Sequence, residues 1–357
     1  MRDVADRAGV SISTVSFVLN GRADAMGIRR STQDRVNRCA AAIGYRGNYH
    51  ARALLRGRAS ALGLAMGSSL QHRMWGAIAT GVEKAARAAG YDLLIVSGAD
   101  GEAALDRGIR HLRERRLDAL VCEGSAAGKR QTLKAGVRAV VVQGSAGPLP
   151  SVRLDPAPGL DAAVDHLAGL GHRHVACVGK RRGGRTLLAD RVTALRESCA
   201  RRGLLLTEIF LPAEESYHDE IDWHLRYNHD ALTRGLDLPD SVTGVFCYND
   251  TLALALMALL RERGIRVPDD VSVIGFDDLH ATLSLPALTT VSHMYRELGA
   301  KAVEVALALV DGAPRPAGPV LVPAQLVVRQ STGPAAGGEP NGAAAGARRR
   351  RGGEEKA

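Results

Sequence analysis

Apolar residues along the chain follow two different spacings, and the spacing changes near Ala61. Before that point, stretches with helical spacing are interrupted by glycines. After it, short apolar runs alternate with helical stretches, a pattern typical of buried parallel strands joined by helices. The predicted strands are residues 61–66, 93–97, 119–122, 139–142, 175–178, 244–247 and 271–276, and the predicted helices include residues 76–89, 103–115, 160–170, 187–202 and 251–263. This order predicts a doubly wound α/β sheet, and its length of about 270 residues favours two lobes over one.

The glycine-punctuated start of the chain predicts a small helix-turn-helix unit. Helical spacing predicts a first helix over Arg2–Ala8 and a second over Ile12–Asn20, with Ser11 placed to cap the second helix. A third helix is predicted over residues 31–43, begun by a capping box with Asp34. Small hydroxyl side chains on the exposed face of the second helix suit close approach to phosphates and base edges. Many three-helix units share this pattern, so by itself it does not identify a function.

Charge separates the same two regions of the chain. Residues 1–58 carry a net charge of +7 and residues 333–357 carry +2, while the 274 residues between them are neutral, within a total of +9. A compact basic head on a neutral body is typical of a unit that binds a polyanion, and a solvated arginine-rich surface is the alternative. From residue 333 onward Gly, Ala and Pro dominate, which predicts a disordered tail. Its arginines at 348–351 either attract DNA without specificity or keep the tail in solution.

Composition excludes several classes of protein. The densest apolar run, Leu252–Leu260, is far shorter than the roughly 18 residues that a membrane span needs, and the first residues contain no secretory signal. The five cysteines are scattered without CxxC spacing, which indicates free thiols in a reducing cytoplasm rather than a disulfide framework or a metal site. We therefore expect a cytoplasmic protein that does not enter a membrane.

Motifs for catalysis are missing or weak. The run GSAAGK at 124–129 is similar to a phosphate loop, but its glycines enclose three residues where the loop needs four. HExxH and GxSxG do not occur, and no GxGxxG follows the first strand. His166, His172 and His174 share no metal-ligand spacing with a Cys or a carboxylate, so a structural role is expected for them. The sequence therefore predicts no enzyme, no cofactor and no metal.

The residues DVADRAGVSISTVSFVLNG (Asp3–Gly21) closely resemble the head of the LacI/GalR family of bacterial transcription repressors. The resemblance continues to about residue 332, in GYDLL (90–94), HLAGLGHRHVACVG (166–179), NDTLAL (249–254), GIRVPDDVSVIGFDD (264–278) and PALTTV (286–291). It implies an α/β fold in which a small all-α helix-turn-helix head is joined by a hinge helix to a two-lobed body like that of periplasmic binding proteins. The implied domains are the head at 1–46, the hinge helix at 47–58, the effector-binding and dimerisation body at 59–332, and the disordered tail at 333–357.

The family resemblance also implies a function. It implies a homodimer that binds a pseudo-palindromic operator in double-stranded DNA under the control of a small ligand held between the lobes. A sugar is the expected effector, and a nucleobase or a phosphorylated metabolite is the alternative. The ligand releases DNA in most relatives and promotes binding in a few, and the sequence favours neither. A sugar-binding transport protein is a rival class, but it predicts a secretion signal and no basic head.

The assembly expected from the resemblance is a dimer. The tail lacks the apolar heptads of a coiled coil, which favours a dimer over a tetramer. The subunit interface is expected on the lobe nearest the hinge, around the helix at 76–89.

In this family the second helix enters the major groove, which assigns DNA contacts by position. The base-reading positions hold Ile12, Ser13 and Phe17, and the phosphate and groove-edge positions hold Ser11, Thr14, Ser16 and Asn20. Ile12 and Phe17 have no polar group to offer guanine, so apolar contact with a thymine methyl is expected. Packing of Phe17 against the third helix is the alternative.

Residues 47–58 resemble the family's hinge helix, which folds in the minor groove when two subunits pair on DNA. Leu54 matches the leucine that wedges between base pairs, and Arg52 stands where a phosphate contact is expected. Gly47 and Gly57 raise the entropy cost of ordering this helix by roughly 0.5–1 kcal/mol each. We therefore expect the hinge to be disordered without DNA.

By the same resemblance, Arg191, Asn249 and Asp277 are effector contacts, and their hydrogen-bond donors and acceptors suit a polyol. A salt-bridge network between the lobes is the alternative for these three residues.

Four further features are candidates for the effector site. By the same resemblance, Trp75 stands where the family often has an aromatic ring that could stack on a sugar, and Trp223 is a second candidate whose match is blurred by nearby insertions. Core packing is the alternative for each. His293 stands where many relatives have Gln, which adds a pH-dependent contact or changes selectivity. The basic run at 180–185 either meets a phosphorylated ligand or is a solvated loop.

Overall fold

The fold is described from a computed structural model. It describes residues 1–45, 58–67, 73–97, 101–114, 116–124, 137–144, 149–182, 185–186, 189–213 and 221–336. The predictions for most of the hinge, including Arg52 and Leu54, and for the tail beyond residue 336 lie outside the described residues.

The head consists of three helices around a small apolar core. They are α1 (Arg2–Ala8), α2 (Ile12–Leu19) and α3 (Arg30–Ala42). Val4, Val15 and Val36, one from each helix, are fully buried in a single cluster. Gly9 takes the left-handed conformation, with φ of 60°, and turns the chain from α1 into α2, where a side chain would strain the backbone. The predicted helix-turn-helix unit is confirmed.

The start of α3 differs from the prediction. The predicted capping box of Ser31 with Asp34 is wrong, because the helix begins at Arg30 and its first turn has no side-chain cap. The side-chain amide of Gln33 instead donates to the carbonyl oxygen of Ile28 at 2.8 Å, which ties the preceding loop to the helix. A contact with the loop, and not a local cap, therefore fixes where α3 begins.

The body alternates strands with helices along the chain. Its described strands are β1 (Ala61–Met66), β2 (Asp92–Ser97), β3 (Ala119–Glu123), β4 (Ala139–Val142), β5 (Ser151–Asp155), β6 (His174–Arg182), β7 (Arg185–Thr186), β8 (Leu205–Pro212), β9 (Gly244–Cys247), β10 (Ser272–Asp277), β11 (Thr289–Ser292), β12 (Val320–Pro323) and β13 (Gln325–Val327). Its described helices are α4 (Arg73–Ala88), α5 (Gly101–Arg113), α6 (Ala157–Gly169), α7 (Ala189–Arg201), α8 (Ile221–Gly235), α9 (Asp250–Glu262) and α10 (Tyr295–Val310).

The strands form two sheets, each of which is the centre of a lobe. The lobe that follows the head, the N-lobe, has a parallel sheet in the order β12-β5-β4-β3-β1-β2. The other, the C-lobe, has the order β13-β11-β10-β9-β6-β7, with β8 also paired to β6. Strands β1, β3 and β4 are buried along their whole length, because helices cover both faces of the parallel N-lobe sheet. The expected pair of α/β lobes is confirmed.

Among the described residues the chain crosses from one lobe to the other three times. The crossings lie at Pro156, Met294 and Ala324, directly after β5, β11 and β12. The backbone N–H of Ala324 donates to the carbonyl oxygen of Asp155 at 2.8 Å, which ties two of the crossings together. Two of the crossings therefore run side by side where the lobes meet.

Helix α10 follows the second crossing and returns the chain to the N-lobe, where it packs closely on α4. A Cβ atom on Gly81 would lie 2.0 Å from the carbonyl oxygen of Arg296, and one on Gly299 would lie 2.3 Å from that of Ile78. Only glycine permits this approach of the two backbones. The two helices therefore behave as one rigid layer of the N-lobe.

No helix among the described residues is both long enough and apolar enough to cross a bilayer.

Candidate ligand cleft and nucleic-acid face

Arg191, on α7, is held at the C-lobe side of the lobe crossings. Its Nη1 donates to the carbonyl oxygen of Tyr248 at 2.7 Å and lies 3.3 Å from Oδ1 of Asp277. The guanidinium plane also lies over the ring of Phe276, 3.9 Å from its centre. Arg191 is thus fixed in position before any ligand arrives.

His293 is the second partner of Arg191. Nη2 of Arg191 lies 2.7 Å from Nε2 of His293. Because a guanidinium only donates, Nε2 must accept, and the imidazole proton is on Nδ1. Nδ1 faces Oδ1 of Asp277 at 3.2 Å and also contacts the hydroxyl of Tyr295. Burial, and then the charge of Arg191, hold the pKa of His293 well below its usual value, so this histidine is neutral.

Asp277 supplies the negative charge of this cluster. Burial raises its pKa to about 6, although hydrogen bonds from Arg191 and Tyr295 favour the ionised form. Its backbone has a φ of 113°, a conformation that L-residues rarely adopt and that occurs often at functional sites. The neighbouring Asp278 turns away and pairs with Arg329 at 2.7 Å. Of the two adjacent acids, only Asp277 belongs to the cluster.

Asn249 lies at the start of α9 and has a structural task. Its Oδ1 accepts hydrogen bonds from the backbone N–H of Leu252 at 2.9 Å and from the hydroxyl of Thr251 at 3.1 Å. It is therefore the N-cap of α9. Its Nδ2 group has no hydrogen-bond partner within the described part of the chain, so both of its N–H donors are left for a ligand.

Asp250, which the sequence analysis did not single out, is a second buried acid beside the cluster. It accepts hydrogen bonds from the hydroxyl of Thr290 at 2.6 Å and from the backbone N–H groups of Leu279 and His280. Burial, and then the charge of Asp277, raise its pKa to about 7. Its signal in the sequence is an acid that opens an otherwise apolar helix, but that pattern also fits an ordinary residue of a first helical turn.

The two tryptophans occupy different surroundings. Trp75 is only 3% exposed and lies in the apolar core of the N-lobe. Trp223, on α8, stacks on Tyr227 with ring centres 5.0 Å apart. Nζ of the fully buried Lys180 lies 4.7 Å from the centre of the Tyr227 ring and 5.8 Å from that of Tyr248. Trp223 thus contacts Lys180 through Tyr227, whereas Tyr248, whose carbonyl holds Arg191, lies beside the lysine directly.

The basic run at 180–185 is described only in part, and its first two residues point in different directions. Lys180 points into the protein, whereas Arg181 is exposed and lies over the ring of Phe210 at 4.0 Å.

The lobes also touch each other beside this cluster. Nη1 of Arg73, on α4 of the N-lobe, donates to the carbonyl oxygen of Leu279 at 2.7 Å. Leu279 follows Asp277 and Asp278 closely and packs against the N-lobe core. A ligand that moved the segment after β10 would therefore also move the contact between the lobes.

The three histidines for which a structural role was expected have hydrogen-bond partners within the C-lobe. His166 bonds with Thr332, and His172 with Thr243 and the carbonyl of Gly333. His174 bonds with hydroxyl groups at both ring nitrogens. Within the described ranges, no group of three or more His, Cys, Asp or Glu could hold a metal ion.

In the head, α2 presents one face to solvent. Its residues Val15 and Val18 are buried, whereas Ile12 is 44% exposed and Ser13 is exposed. Phe17 is half-buried, so part of its ring reaches the surface. Among the described residues, the expected phosphate and groove-edge residues lie along the same helix or at its ends; they are Ser11, Thr14, Ser16 and Asn20.

Hydrogen bonds hold the polar side chains at the two ends of α2 in place. The predicted cap is confirmed, because Oγ of Ser11 accepts from the backbone N–H of Thr14 at 3.1 Å. At the other end, Nδ2 of Asn20 donates to Oγ of Ser16 at 3.2 Å. These hydrogen bonds hold polar side chains in fixed orientations at both ends of the helix.

Two family models match the chain. A model of bacterial regulatory proteins of the lacI family matches residues 1–48. A model of a periplasmic binding protein-like domain matches residues 164–332. The first match covers the basic head, and the second covers most of the C-lobe together with helix α10 and strand β12 of the N-lobe.

Related proteins match nearly the whole chain. The HTH-type transcriptional repressor PurR of Vibrio parahaemolyticus serotype O3:K6 is 31% identical, over 86% of this chain and 90% of that protein. The HTH-type transcriptional regulator GalR of Escherichia coli (strain K12) is 30% identical, over 88% of this chain and 90% of that protein. A crystal structure of the lac repressor dimer bound to operator and the anti-inducer ONPF has a TM-score of 0.71 at 26% identity, over 93% of this chain and 98% of that one.

Proposed function

Because the chain belongs to the lacI family of bacterial regulatory proteins, we propose that it is a homodimeric repressor whose affinity for its operator is set by a small ligand bound between the lobes. Membership makes the protein a DNA-binding transcriptional regulator, and it confirms the expectation that the protein is not an enzyme. The operator, the dimer and the ligand belong to the proposal.

The exposed face of α2 carries the operator proposal. Ile12 and Ser13 stand out from a helix whose other side is anchored by Val15 and Val18, so the base-reading side chains are offered by a rigid element. The net charge of +7 over residues 1–58 supplies attraction to phosphates that does not depend on sequence. Specificity then comes from the few side chains that reach base edges.

The cluster of Arg191, Asp277 and His293 carries the ligand proposal. It lies where the chain crosses between lobes, and it combines a fixed guanidinium, a carboxylate and the free amide donor of Asn249. Adjacent donors and acceptors of this kind suit the hydroxyl groups of a sugar. A ligand bound there can change the balance between two lobe arrangements only through its different affinity for them.

The group around Lys180 supports a second kind of effector. The buried amino group of Lys180 beside Tyr248 supports a phosphorylated metabolite, and the stacked rings of Trp223 and Tyr227 support a planar base. The sugar remains the first candidate, because the residues of the Arg191 cluster lie at the lobe crossings themselves.

Two exposed apolar sites support the dimer. Leu94 and Ile95 are 40% and 41% exposed on β2, which is the edge strand of the N-lobe sheet as described. On the C-lobe, Leu283 is 60% exposed and Leu285 is 92% exposed. Large apolar side chains at exposed positions mark protein contacts when they occur in groups. A second copy of the chain is the proposed partner.

The proposed binding to an operator is tested by using the full chain to select duplexes from a random-sequence pool. We expect enrichment of a two-fold symmetric sequence, bound with an affinity that falls steeply as salt rises. Failure to enrich any sequence would contradict the proposal.

The ligand arm is tested by thermal shift of the full chain with pentoses, hexoses, disaccharides, sugar phosphates and nucleobases. A ligand at 100 times its Kd adds about 2.7 kcal/mol to the free energy of unfolding. Arg191→Gln should abolish the shift, whereas Arg196→Gln, on the same helix but paired with Glu208 at the surface, should preserve it. A shift that survives Arg191→Gln would exclude this cluster as the site.

A further inference from the structure

The chain enters the N-lobe at Ala59, Ser60 and Ala61, each of which forms a backbone hydrogen bond with Asp118. Both oxygens of Asp118 are used: Oδ1 accepts from the backbone N–H of Ala59 at 2.8 Å and Oδ2 from that of Ser60 at 2.7 Å. The backbone N–H of Asp118 donates in turn to the carbonyl oxygen of Ala61 at 2.8 Å. A carboxylate that is only 7% exposed and accepts from two successive amides fixes both the position and the direction of the chain there.

The same entry point contains a bend that the sequence does not favour. Ser60 has a φ of 51°, in the left-handed region that residues other than glycine seldom adopt. Such a conformation persists only where surrounding contacts impose it. Asp118 supplies those contacts, so the bend and the buried acid belong to one arrangement.

Arg58, the residue just before this bend, is tied to the far end of α10. Its Nη2 lies 2.9 Å from Oδ1 of Asp311. The pKa of Arg58 is raised by its hydrogen bond to Asp311 first and by one to Tyr91 second. Arg58 is the first described residue after the head, so this ion pair lies where the described part of the body begins.

The position of Asp311 is unfavourable for the helix that it ends. Asp311 is the C-cap of α10, whose last turn contains no basic residue. A negative charge at the negative end of a helix dipole destabilises the helix. The helix itself therefore does not stabilise the charge of Asp311. The stabilising partner lies outside the helix and is Arg58.

Helix α10 joins this point to the ligand cluster. Its first residue is Tyr295, whose hydroxyl contacts His293 and lies 3.5 Å from Oδ1 of Asp277. Its 16 residues span about 24 Å. The close packing at Gly81 and Gly299 holds the helix to the rest of the N-lobe, so its two ends move together.

We propose that Asp311 and Asp118 are positioning residues that fix the path by which the linker leaves the N-lobe, and so set where each head is presented to DNA. This proposal rests on the proposed function, because it concerns the placement of a DNA-binding head. Neither acid is proposed to contact DNA. Asp311 acts through Arg58, and Asp118 acts through the backbone of Ala59 and Ser60.

The test uses charge to separate positioning from simple electrostatics. Asp311→Asn removes a negative charge close to a polyanion, which by charge alone should strengthen DNA binding or leave it unchanged. If Asp311 positions the linker, the variant should instead bind the selected duplex about two- to fivefold more weakly, the range expected for a surface ion pair. Glu297→Gln is the matched control, because it removes the same charge from an exposed position at the other end of α10.

A double-mutant cycle separates the ion pair from a direct phosphate contact by Arg58. We expect Asp311→Asn to have no further effect on operator binding in the Arg58→Gln background. The two losses adding in full, or Asp311→Asn binding as tightly as Glu297→Gln, would overturn the proposal. A wild-type chain that selects no duplex would instead refute the proposed function, and the two failures are therefore distinct.

Asp118→Asn provides a second variant with a larger expected effect. It replaces one acceptor with an amide donor that faces a backbone N–H, so operator binding should weaken more than in Asp311→Asn. Its folding is checked by thermal unfolding of the full chain. If it fails to fold, Asp311→Asn and the cycle with Arg58 still decide the proposal.

Discussion

Arg191 donates a hydrogen bond to His293, with Nη2 2.7 Å from Nε2, so two side chains that both carry positive charge in other settings lie in direct contact. The contact is possible because burial and the neighbouring guanidinium keep the imidazole neutral. Asp277, on the other side of both groups, carries the compensating negative charge. A histidine here thus acts as a relay of hydrogen bonds and not as a second cation.

This relay predicts a marked difference between two substitutions of His293. Gln can accept from Arg191 and donate to Asp277, so His293→Gln should change the free energy of unfolding by less than about 1 kcal/mol. His293→Leu leaves buried donors unpaired and should destabilise by about 1–3 kcal/mol. Urea unfolding of the two variants measures this difference. Equal losses in both would show that the hydrogen bonds of His293 do not matter.

Asp250 predicts a stability that falls as the pH rises. Its pKa is raised to about 7 by burial and by Asp277, whereas an unfolded Asp has a pKa of about 4. Because the native state holds this proton more tightly, unfolding releases it between about pH 4 and pH 7, and rising pH favours unfolding across that window. Asp250→Asn should therefore flatten the decline in unfolding free energy over this range.

The control for the pH experiment is Asp270, whose pKa is lowered to about 2 by Arg266. Its contribution to stability is lost only as the pH falls below the unfolded value, so Asp270→Asn should leave the window between about pH 4 and pH 7 unchanged. If the unfolding free energy of Asp250→Asn changes with pH as steeply as that of the wild type, a group other than Asp250 causes the decline.

The contact between α4 and α10 predicts a severe effect of one methyl group. In Gly81→Ala the new Cβ would lie 2.0 Å from the carbonyl oxygen of Arg296, so the helices must separate. We expect a loss of about 1–3 kcal/mol or more in the free energy of unfolding. Gly169→Ala, at a helical position with no atom within 4 Å of the new Cβ, should be neutral or stabilising by up to about 1 kcal/mol. Thermal unfolding of both variants provides the comparison.

The proposed dimer predicts that Ile95→Glu gives monomers in sedimentation velocity. Ile95 lies on an edge strand and is already 41% exposed, so a charged residue should be tolerated by the fold and not by an apolar contact. Leu205→Glu places the same residue at a position that is 61% exposed on the C-lobe and should leave the assembly intact. A wild-type dimer that persists in Ile95→Glu would move the interface away from β2.

The half-buried Phe17 predicts a change in base preference. Phe17→Ala should alter the sequence that the protein selects, whereas Arg52→Gln should weaken binding to all duplexes alike. Both are measured by selection from the same random pool. If Phe17→Ala leaves affinity and preference unchanged, the ring only packs within the head.

Local patterns in the sequence were enough for the central strands of both lobes. Strands β1, β4 and β9 occupy their predicted residues, as does helix α1. Each consists of apolar residues at one spacing, and burial of such a run does not depend on which partner covers it. The resemblance of Asp3–Gly21 likewise identified the head, because a turn and a cap are encoded within a few neighbouring residues.

What only the tertiary structure decided depends on residues far apart in the chain. Burial, and then the charge of Arg191 about 100 residues earlier, lower the pKa of His293. Burial, and then the charge of Asp277, raise the pKa of Asp250. The ion pair between Asp311 and Arg58 is also a contact between distant segments. The start of α3 depends on a nearer contact, between Gln33 and Ile28, which no helical periodicity encodes. A periodic pattern indicates which face of an element is buried, but not which residues contact that face. The protonation states of buried groups and the path of the linker depend on those contacts. They could therefore be determined only from the tertiary structure.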